Sequence, residues 1–291
     1  MSTKTQSTIT IKDIEFLSEM AQVEGLQKEV WGWDDRDTMP PIHLIATRDV
    51  GGIFIGAFDG EYLVGFAYGF VGYESGRVMI HSHLLAVRPA YRNHNLGYKL
   101  KLAQRQQALE KGFKHMTWTF DPLQSVNAHL NFSKLGVIAD KYKINYYGDE
   151  TSSFLHRDIG TDRLWVTWAL NSNRVRQRIG TEFVARNLLS ELEATVPLVR
   201  LGLDGAPHTS ETSEGTISKH VLIEIPADIA LLQRENHQLA IQWREATRRA
   251  FTSAMAAGYL VEDFYRLTRQ GQRLGVYLLT HRQMDEYVIG D

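Results

Sequence analysis

Two histidines, His81 and His83, stand two residues apart in the run MIHSHLLAV at positions 79–87. In a β-strand, side chains at i and i+2 lie on one face, so both imidazoles can look into one cleft. An alkylammonium must lose a proton before its nitrogen can attack an activated carbonyl. An imidazole of ordinary pKa, about 6.5, is suited to take that proton at neutral pH. The same pair also fits hydrogen-bonded core histidines. His-x-His spacing occurs in metal sites too, but no third and fourth ligand accompanies it, so no metal is expected.

The residues that follow suggest a second kind of chemistry. Pro89 cannot donate to a sheet ladder and ends the strand. A polar loop, Arg92-Asn93-His94-Asn95-Leu96-Gly97, then leads into a helix predicted over 97–111, with Tyr98 in its first turn. A helix N-terminus offers unpaired backbone N–H groups and the positive end of the dipole, which suits a phosphate. Arg88, Arg92, Lys99 and Lys101 add positive charge, and Gly97 permits close backbone approach.

The surrounding pattern must position these groups. A short strand at 9–11 precedes an amphipathic helix with Phe16, Met20 and Val23 at helical spacing. Strands are predicted at 51–58 and 63–71 around the Asp59-Gly60 turn, then at 78–87. After the helix come a strand at 115–120, a short helix ending near Gly136, and strands at 142–147 and 164–170. Residues 172–219 read as a linker or irregular excursion. A strand at 220–225, one or two helices over 227–257 and a hairpin of 259–265 with 274–280 complete the chain. The fold class is therefore α+β, with a strand–helix–strand–strand region, 220–291, as a smaller C-terminal domain.

Composition narrows the functional classes. The 291 residues are enough for two domains, and the formal net charge is -2. Near neutrality does not favour nucleic acid as a partner. No apolar run approaches the roughly 18 residues of a membrane span, and the polar start has no signal-peptide core. There are no cysteines, which removes disulfides and thiol nucleophiles and fits a cytoplasmic setting.

The loop resembles the pyrophosphate loop of the GNAT superfamily of N-acyltransferases, which reads Arg or Gln, two residues, Gly, one residue, then Gly or Ala. Asn95 stands where glycine is usual, and asparagine tolerates left-handed backbone better than other non-glycine residues. The order of elements over 9–170 and the ending Lys134-Leu135-Gly136 of the short helix are similar to the family as well. The runs Trp118-Thr119-Phe120-Asp121-Pro122-Leu123 and Asp162-Arg163-Leu164 resemble a group of cytoplasmic GNAT proteins of similar length. The histidine strand resembles that of arylalkylamine N-acetyltransferases, whose two histidines assist amine deprotonation.

This resemblance implies a GNAT-type mixed, mostly antiparallel sheet flanked by helices. It places an acyl-CoA-binding domain at 1–171, and the C-terminal region echoes half of that domain. Acetyl-CoA or another acyl-CoA is the implied co-substrate. His83 is then base or water-positioner, with His81 in support. Backbone groups of Leu85, Ala86 and Val87 face the thioester, residues 92–98 cradle the diphosphate, and Asn127 holds pantetheine amides. Trp31 and Arg163 are candidates for the acceptor pocket. The family often protonates the leaving thiol with a tyrosine, but Phe132 holds that position; Ser133, Tyr142, Tyr146 or Tyr147 could substitute, or a thiol of pKa about 8.5 leaves unaided.

The expected activity is acyl transfer, acetyl or succinyl, to a primary amine of a small molecule such as an amino acid. A non-catalytic acyl-CoA sensor and transfer to a protein or peptide amine are the alternatives. A homodimer is compatible with the pattern; nucleic acid and membrane are not expected partners.

Overall fold

The computed structural model describes residues 8–92, 94–148, 159–180, 195–210 and 219–281. The chain parts into two compact units, the first running through Trp118 and the second taking up at Thr119. These units divide the chain elsewhere than the sequence-based limits at 171 and 219, the first drawn from the extent of the resemblance and the second from a run rich in Gly, Pro and small polar residues.

The first unit opens with strand β1 (Ile9–Asp13) and helix α1 (Leu17–Trp31). Glu19 starts α1 by accepting hydrogen bonds from the backbone N–H groups of Phe16 (3.2 Å) and Glu15 (2.9 Å). Gly32 ends it in a left-handed conformation, φ 67°. Helix α2 (Pro41–Asp49) follows, an element the sequence reading did not anticipate. The Pro40-Pro41 pair looks like a loop, yet proline at the first helical position costs nothing because that N–H is unpaired anyway.

Strands β2 (Ile53–Asp59), β3 (Tyr62–Glu74) and β4 (Arg77–Val87) form antiparallel pairs, and β1 joins the edge at β2. A 3-10 turn at Pro89–Tyr91 leads to helix α3 (Leu96–Glu110) and strand β5 (His115–Phe120). Strand β5 runs parallel to β4, so the sheet is mixed but mostly antiparallel, as predicted. Met20, Val23 and Leu26 of α1 and Leu44 of α2 share a buried cluster with Phe54, Phe66, Tyr68, Leu84 and Ala86. Helix α3 takes the other face, where Leu100 lies beside Gly65 and Val87.

In the second unit, helix α4 (Ser125–Ala128) passes into a π-type helix, His129–Leu135, capped by left-handed Gly136. Strands β6 (Ile138–Lys143) and β7 (Arg163–Ala169) pair antiparallel. The strand predicted at 142–147 is thus shifted towards the N-terminus; turns replace it, with Asn145 at φ 44°. The region predicted as linker carries helix α5 (Asn173–Gly180) and short strands β8 (Val199–Leu201) and β9 (Pro207–Thr209). Strand β10 (His220–Pro226) leads to helices α6 (Ile229–Glu235) and α7 (His237–Ala256). The break between them is Asn236, whose side chain caps α7 by accepting from Leu239 N–H at 3.1 Å. Strands β11 (Leu260–Arg269) and β12 (Gln272–Thr280) make the predicted hairpin, and β10 pairs with β12.

The register of β3 with β4 contains one irregularity that bears on function. Tyr68 pairs with Leu84 but Gly69 pairs with Ser82, so His83 is the extra residue of a bulge. Gly69 makes the bulge possible. A Cβ there would lie 2.9 Å from Ile80 Cγ2, 3.0 Å from the His81 carbonyl oxygen and 3.1 Å from Gln104 Nε2. Gly69→Ala is therefore expected to destabilise the protein by roughly 1–3 kcal/mol through overpacking. Chemical denaturation of the variant beside wild type measures this, and equal stability would show that the bulge yields freely.

Candidate active site

The site begins where β4 loses its neighbour. Strand β4 pairs with β5 at Ile80↔Met116 and His81↔Thr117, and among the described residues that pairing does not continue past His81. On its other edge β4 stays with β3 as far as Arg88, whose N–H donates to the Val64 carbonyl at 2.9 Å. Backbone direction alternates along an antiparallel strand. If Arg88 faces β3, so does Ala86, and the N–H and C=O groups of Leu85 and Val87 face the open edge. Consistently, the Val87 carbonyl accepts from Arg92 Nε at 3.3 Å. Of the three residues expected to face a thioester, Leu85 and Val87 present backbone there, while Ala86 turns to β3 and buries its methyl in the core.

The bulge arranges the side chains. Ser82 points to α3, where its hydroxyl donates to Gln104 Oε1 at 2.7 Å. His81 and His83 occupy the opposite face, with ring centroids 6.3 Å apart. The extra residue resets the alternation, so Leu84 and Ala86 continue on the histidine face instead of crossing to α3. Phe70 stands 5.4 Å from His81 and 5.7 Å from His83, and Tyr68 meets His83 edge-on at 6.4 Å.

The two imidazoles are not equivalent. His81 is 9 % exposed, and its Nδ1 is held 3.0 Å from Thr117 Oγ1. Burial, then the neighbouring His83 and Lys101, push it down to about 4. His83 is half-buried, and burial followed by His43 holds it below the usual imidazole value. Both rings are therefore neutral at neutral pH. His43, on exposed α2 surface, was passed over in the sequence because forty positions of chain separate it from His83.

The loop after β4 has the geometry its sequence implied at the critical position. Asn95 takes φ 57°, ψ 18°, the left-handed conformation for which glycine is the common choice. The first helical bond is from Lys99 N–H to the Asn95 carbonyl, 3.0 Å, so the N–H groups of Leu96, Gly97 and Tyr98 precede it at the helix N-terminus. His94 is exposed beside Asn95, Leu96 sends its side chain into the core, and Asn93 lies outside the described residues.

The positive charge around this loop is smaller than predicted. Arg88 is drawn away: it pairs with Glu29, donates from Nε to the Leu63 carbonyl at 2.8 Å, and lies over the Tyr62 ring. Lys101 falls on the buried stripe of α3, at 2 % exposure. Its Nζ donates to Ser82 Oγ at 2.6 Å and lies 3.7 Å from the Trp118 ring centroid. Burial drives Lys101 well below the ordinary lysine value. Arg92 and Lys99 remain as exposed cations.

The other expected residues can be placed one by one. Trp31 is half-buried on the first core, 4.4 Å from the Trp33 ring and 6.2 Å from Phe66. In the second unit, Asn127 is an exposed residue of α4. Arg163 is buried, donating to the Asp162 carbonyl and lying 5.0 Å from the Tyr147 ring centroid. Its neighbour Asp162 is structural, accepting from Tyr142 Oη (2.6 Å), Arg248 Nε (2.8 Å) and Asn145 N–H (3.0 Å). Phe132 is fully buried, and of its proposed substitutes Tyr142 is tied to Asp162 and Ser133 donates to the Phe264 carbonyl. A cavity of about 580 Å³ opens in the first unit between Asp13, Arg48, Phe54 and Gln107, and neither His81 nor His83 lines it.

Comparison with known proteins adds a family match over part of the chain. Residues 18–136 match the family described as "Acetyltransferase (GNAT) family". Over this stretch the chain is similar to GNAT acetyltransferases. No curated protein matches the chain. Among solved structures, it is similar to the ribosomal-protein-S18-alanine N-acetyltransferase from Escherichia coli, at 12% identity and TM-score 0.45, over 61% of this chain and 99% of that one. It is similar to aminoglycoside 6'-acetyltransferase type Ii at 18% identity and TM-score 0.44, over 55% and 97%. The PaiA N-acetyltransferase from Thermoplasma acidophilum, in complex with coenzyme A, matches at 14% identity and TM-score 0.40, over 56% and 99%. None of the three bears on substrate.

Lys101 yields a prediction. Its folded pKa lies below the unfolded value of about 10.4. Between those two values the unfolded chain binds a proton that the folded chain does not, so stability falls as pH falls through that window. Lys101→Met removes this proton uptake. Urea unfolding at neutral and alkaline pH should show wild type gaining on Lys101→Met as pH rises, and parallel curves would refute a lysine pKa lowered by burial.

Proposed function

We propose that this protein transfers an acyl group, acetyl or succinyl, from acyl-CoA to the primary amine of a small molecule such as an amino acid, in the cytoplasm. The observation that carries the reading is the outer edge of β4: unpaired by any strand past His81 among the described residues, with two neutral imidazoles on the adjoining face and a left-handed helix cap at its end.

The roles follow from the geometry of these residues. The amides at the start of α3, with Arg92 and Lys99 nearby, suit a diphosphate. The N–H groups of Leu85 and Val87 suit the oxygen that gains negative charge as a thioester is attacked. His83 takes the proton from the incoming ammonium. His81 is the poorer base: at about 4, its conjugate acid is far more acidic than an alkylammonium, so it orients its neighbour instead. The free amine then attacks the thioester carbon directly; the C–N bond forms, the C–S bond breaks, and the thiolate departs. In the second unit, the family resemblance supports Asn127 as a holder of pantetheine amides and Arg163 as a carboxylate-binding group.

A thiol-release assay with acetyl- and succinyl-CoA against a panel of amines and amino acids tests this. His83→Ala should lower kcat by roughly 100-fold or more, within the usual range for a positioned base, while coenzyme A binding stays near wild type. His81→Ala should have the smaller effect. Because burial depresses His83, the acid limb of kcat/KM should fall below the usual imidazole range. A melting shift with coenzyme A but no thiol release on any acceptor would instead identify a sensor.

A further inference from the structure

The face of β4 turned away from the two histidines carries a buried polar group that the reaction does not use. Ser82 stands between them in the chain and is itself buried. Its hydroxyl accepts from Lys101 Nζ at 2.6 Å and donates to Gln104 Oε1 at 2.7 Å. Lys101 and Gln104, three residues apart, share one face of α3, and both are buried. Lys101 Nζ also lies 3.7 Å from the Trp118 ring centroid on β5. Gln104 Nε2 lies 3.1 Å from the place that a Cβ on Gly69 would take. Helix α3 therefore meets the bulge at both residues of the pair beside it, Ser82 on β4 and Gly69 on β3.

We infer that Ser82, Lys101 and Gln104 form a clamp that fixes the place of the bulge and so aims His83 at the substrate. The inference rests on the acyl-transfer reading, and the three are positioning residues that act through His83. Residues directly opposite each other in an antiparallel pair share a face. Gly69 pairs with Ser82, which faces α3, and His83 is the extra residue, its ring beside Tyr68 and Phe70. If Ser82 were the extra residue instead, His83 would stand opposite Gly69 and turn to α3, away from Tyr68. A shift of one residue exchanges faces, so the side-chain partners specify the register. Moved out of its place, Ser82 would leave Lys101 and Gln104 buried without it, and a buried polar group left unpaired is costly.

The clamp lies across the sheet from the imidazoles, so removing its polar atoms takes no group from the histidine face. Its effect on rate comes through aim alone, and a reacting group misplaced by about 1 Å can lose roughly 100-fold. Apolar contact between α3 and the sheet does not depend on it, since Leu100 of the same helix packs beside Gly65 and Val87.

The test compares wild type with Ser82→Ala and with the triple variant Ser82→Ala, Lys101→Met, Gln104→Met. Ser82→Ala leaves two buried polar side chains without their partner and should unfold at lower urea. The triple variant makes the whole group apolar at similar size and should regain most of that stability, so it carries the test if Ser82→Ala fails to fold. In both variants kcat for thiol release should fall roughly ten- to a hundredfold with KM for acyl-CoA unchanged. The NMR contact between the His83 and Tyr68 rings, which stand edge-on in the wild type, should be lost. A stable triple variant with full kcat overturns the clamp, and so does one that keeps the ring contact. A wild type that releases no thiol with any acceptor overturns the acyl-transfer reading. The ring contact then judges the clamp by itself: its loss in the triple variant supports the clamp, and its persistence overturns it.

Discussion

The site depends on a hydrogen-bond ladder that stops. Among the described residues strand β4 is paired with β5 only through His81, and its partner on the other side takes the N–H groups of alternate residues. Backbone amides inside a protein are almost always satisfied. On the proposed reading, the N–H groups of Leu85 and Val87 on the edge that no described strand pairs with are donors for the acyl-CoA. The cost of that arrangement is carried by the rest of the first unit. Helices α1 and α2 seal one face with apolar side chains, and α3 seals the other through Leu100 and the Ser82–Lys101–Gln104 group.

The bulge at His83 sets how that edge is used. Without it, alternation would place Leu84 on the α3 face and leave the histidine strand with a different apolar partner. With it, His81, His83, Leu84 and Ala86 lie on one side, so the pair of imidazoles sits at the border of a continuous core. The buried ions of the second unit serve another purpose. Arg244 with Asp121, Arg248 with Asp162, Arg178 with Asp263 and Arg269 with Glu224 each join elements far apart in sequence. Desolvation offsets much of the attraction in such pairs, so their main effect is to penalise any packing that separates them.

Local signals were legible in the sequence, and contacts across the chain were not. The left-handed asparagine could be anticipated because the conformational demand and the residue's tolerance both reside at Asn95. The shared face of His81 and His83 follows from strand periodicity alone. Lys101 and Arg88 were misread because charge near a loop in sequence is not charge near it in space. Helix phase turns Lys101 inward, and Glu29 with the Leu63 carbonyl captures Arg88. Helix α2 was hidden by its two prolines, and His43 with it. The displaced strand at 142–147 had the right aromatic composition, but Asn145 and Gly148 impose positive φ, and the chain turns there.

The missing tyrosine bears on how the reaction ends. Phe132 packs against Phe120 and Tyr277 with no exposure, so no small adjustment brings a hydroxyl to that position. Tyr142 is bound to Asp162 and pushed well above the ordinary tyrosine range by burial, which makes it a poor proton donor. A thiol with a pKa of about 8.5 is a far better leaving group than an amine, and it can depart as thiolate. On the proposed reading the barrier then lies in generating the free amine and stabilising charge on the carbonyl oxygen, the tasks given to His83 and to the amides of Leu85 and Val87. An enzyme of the proposed kind should be sensitive to loss of its base and indifferent to a general acid.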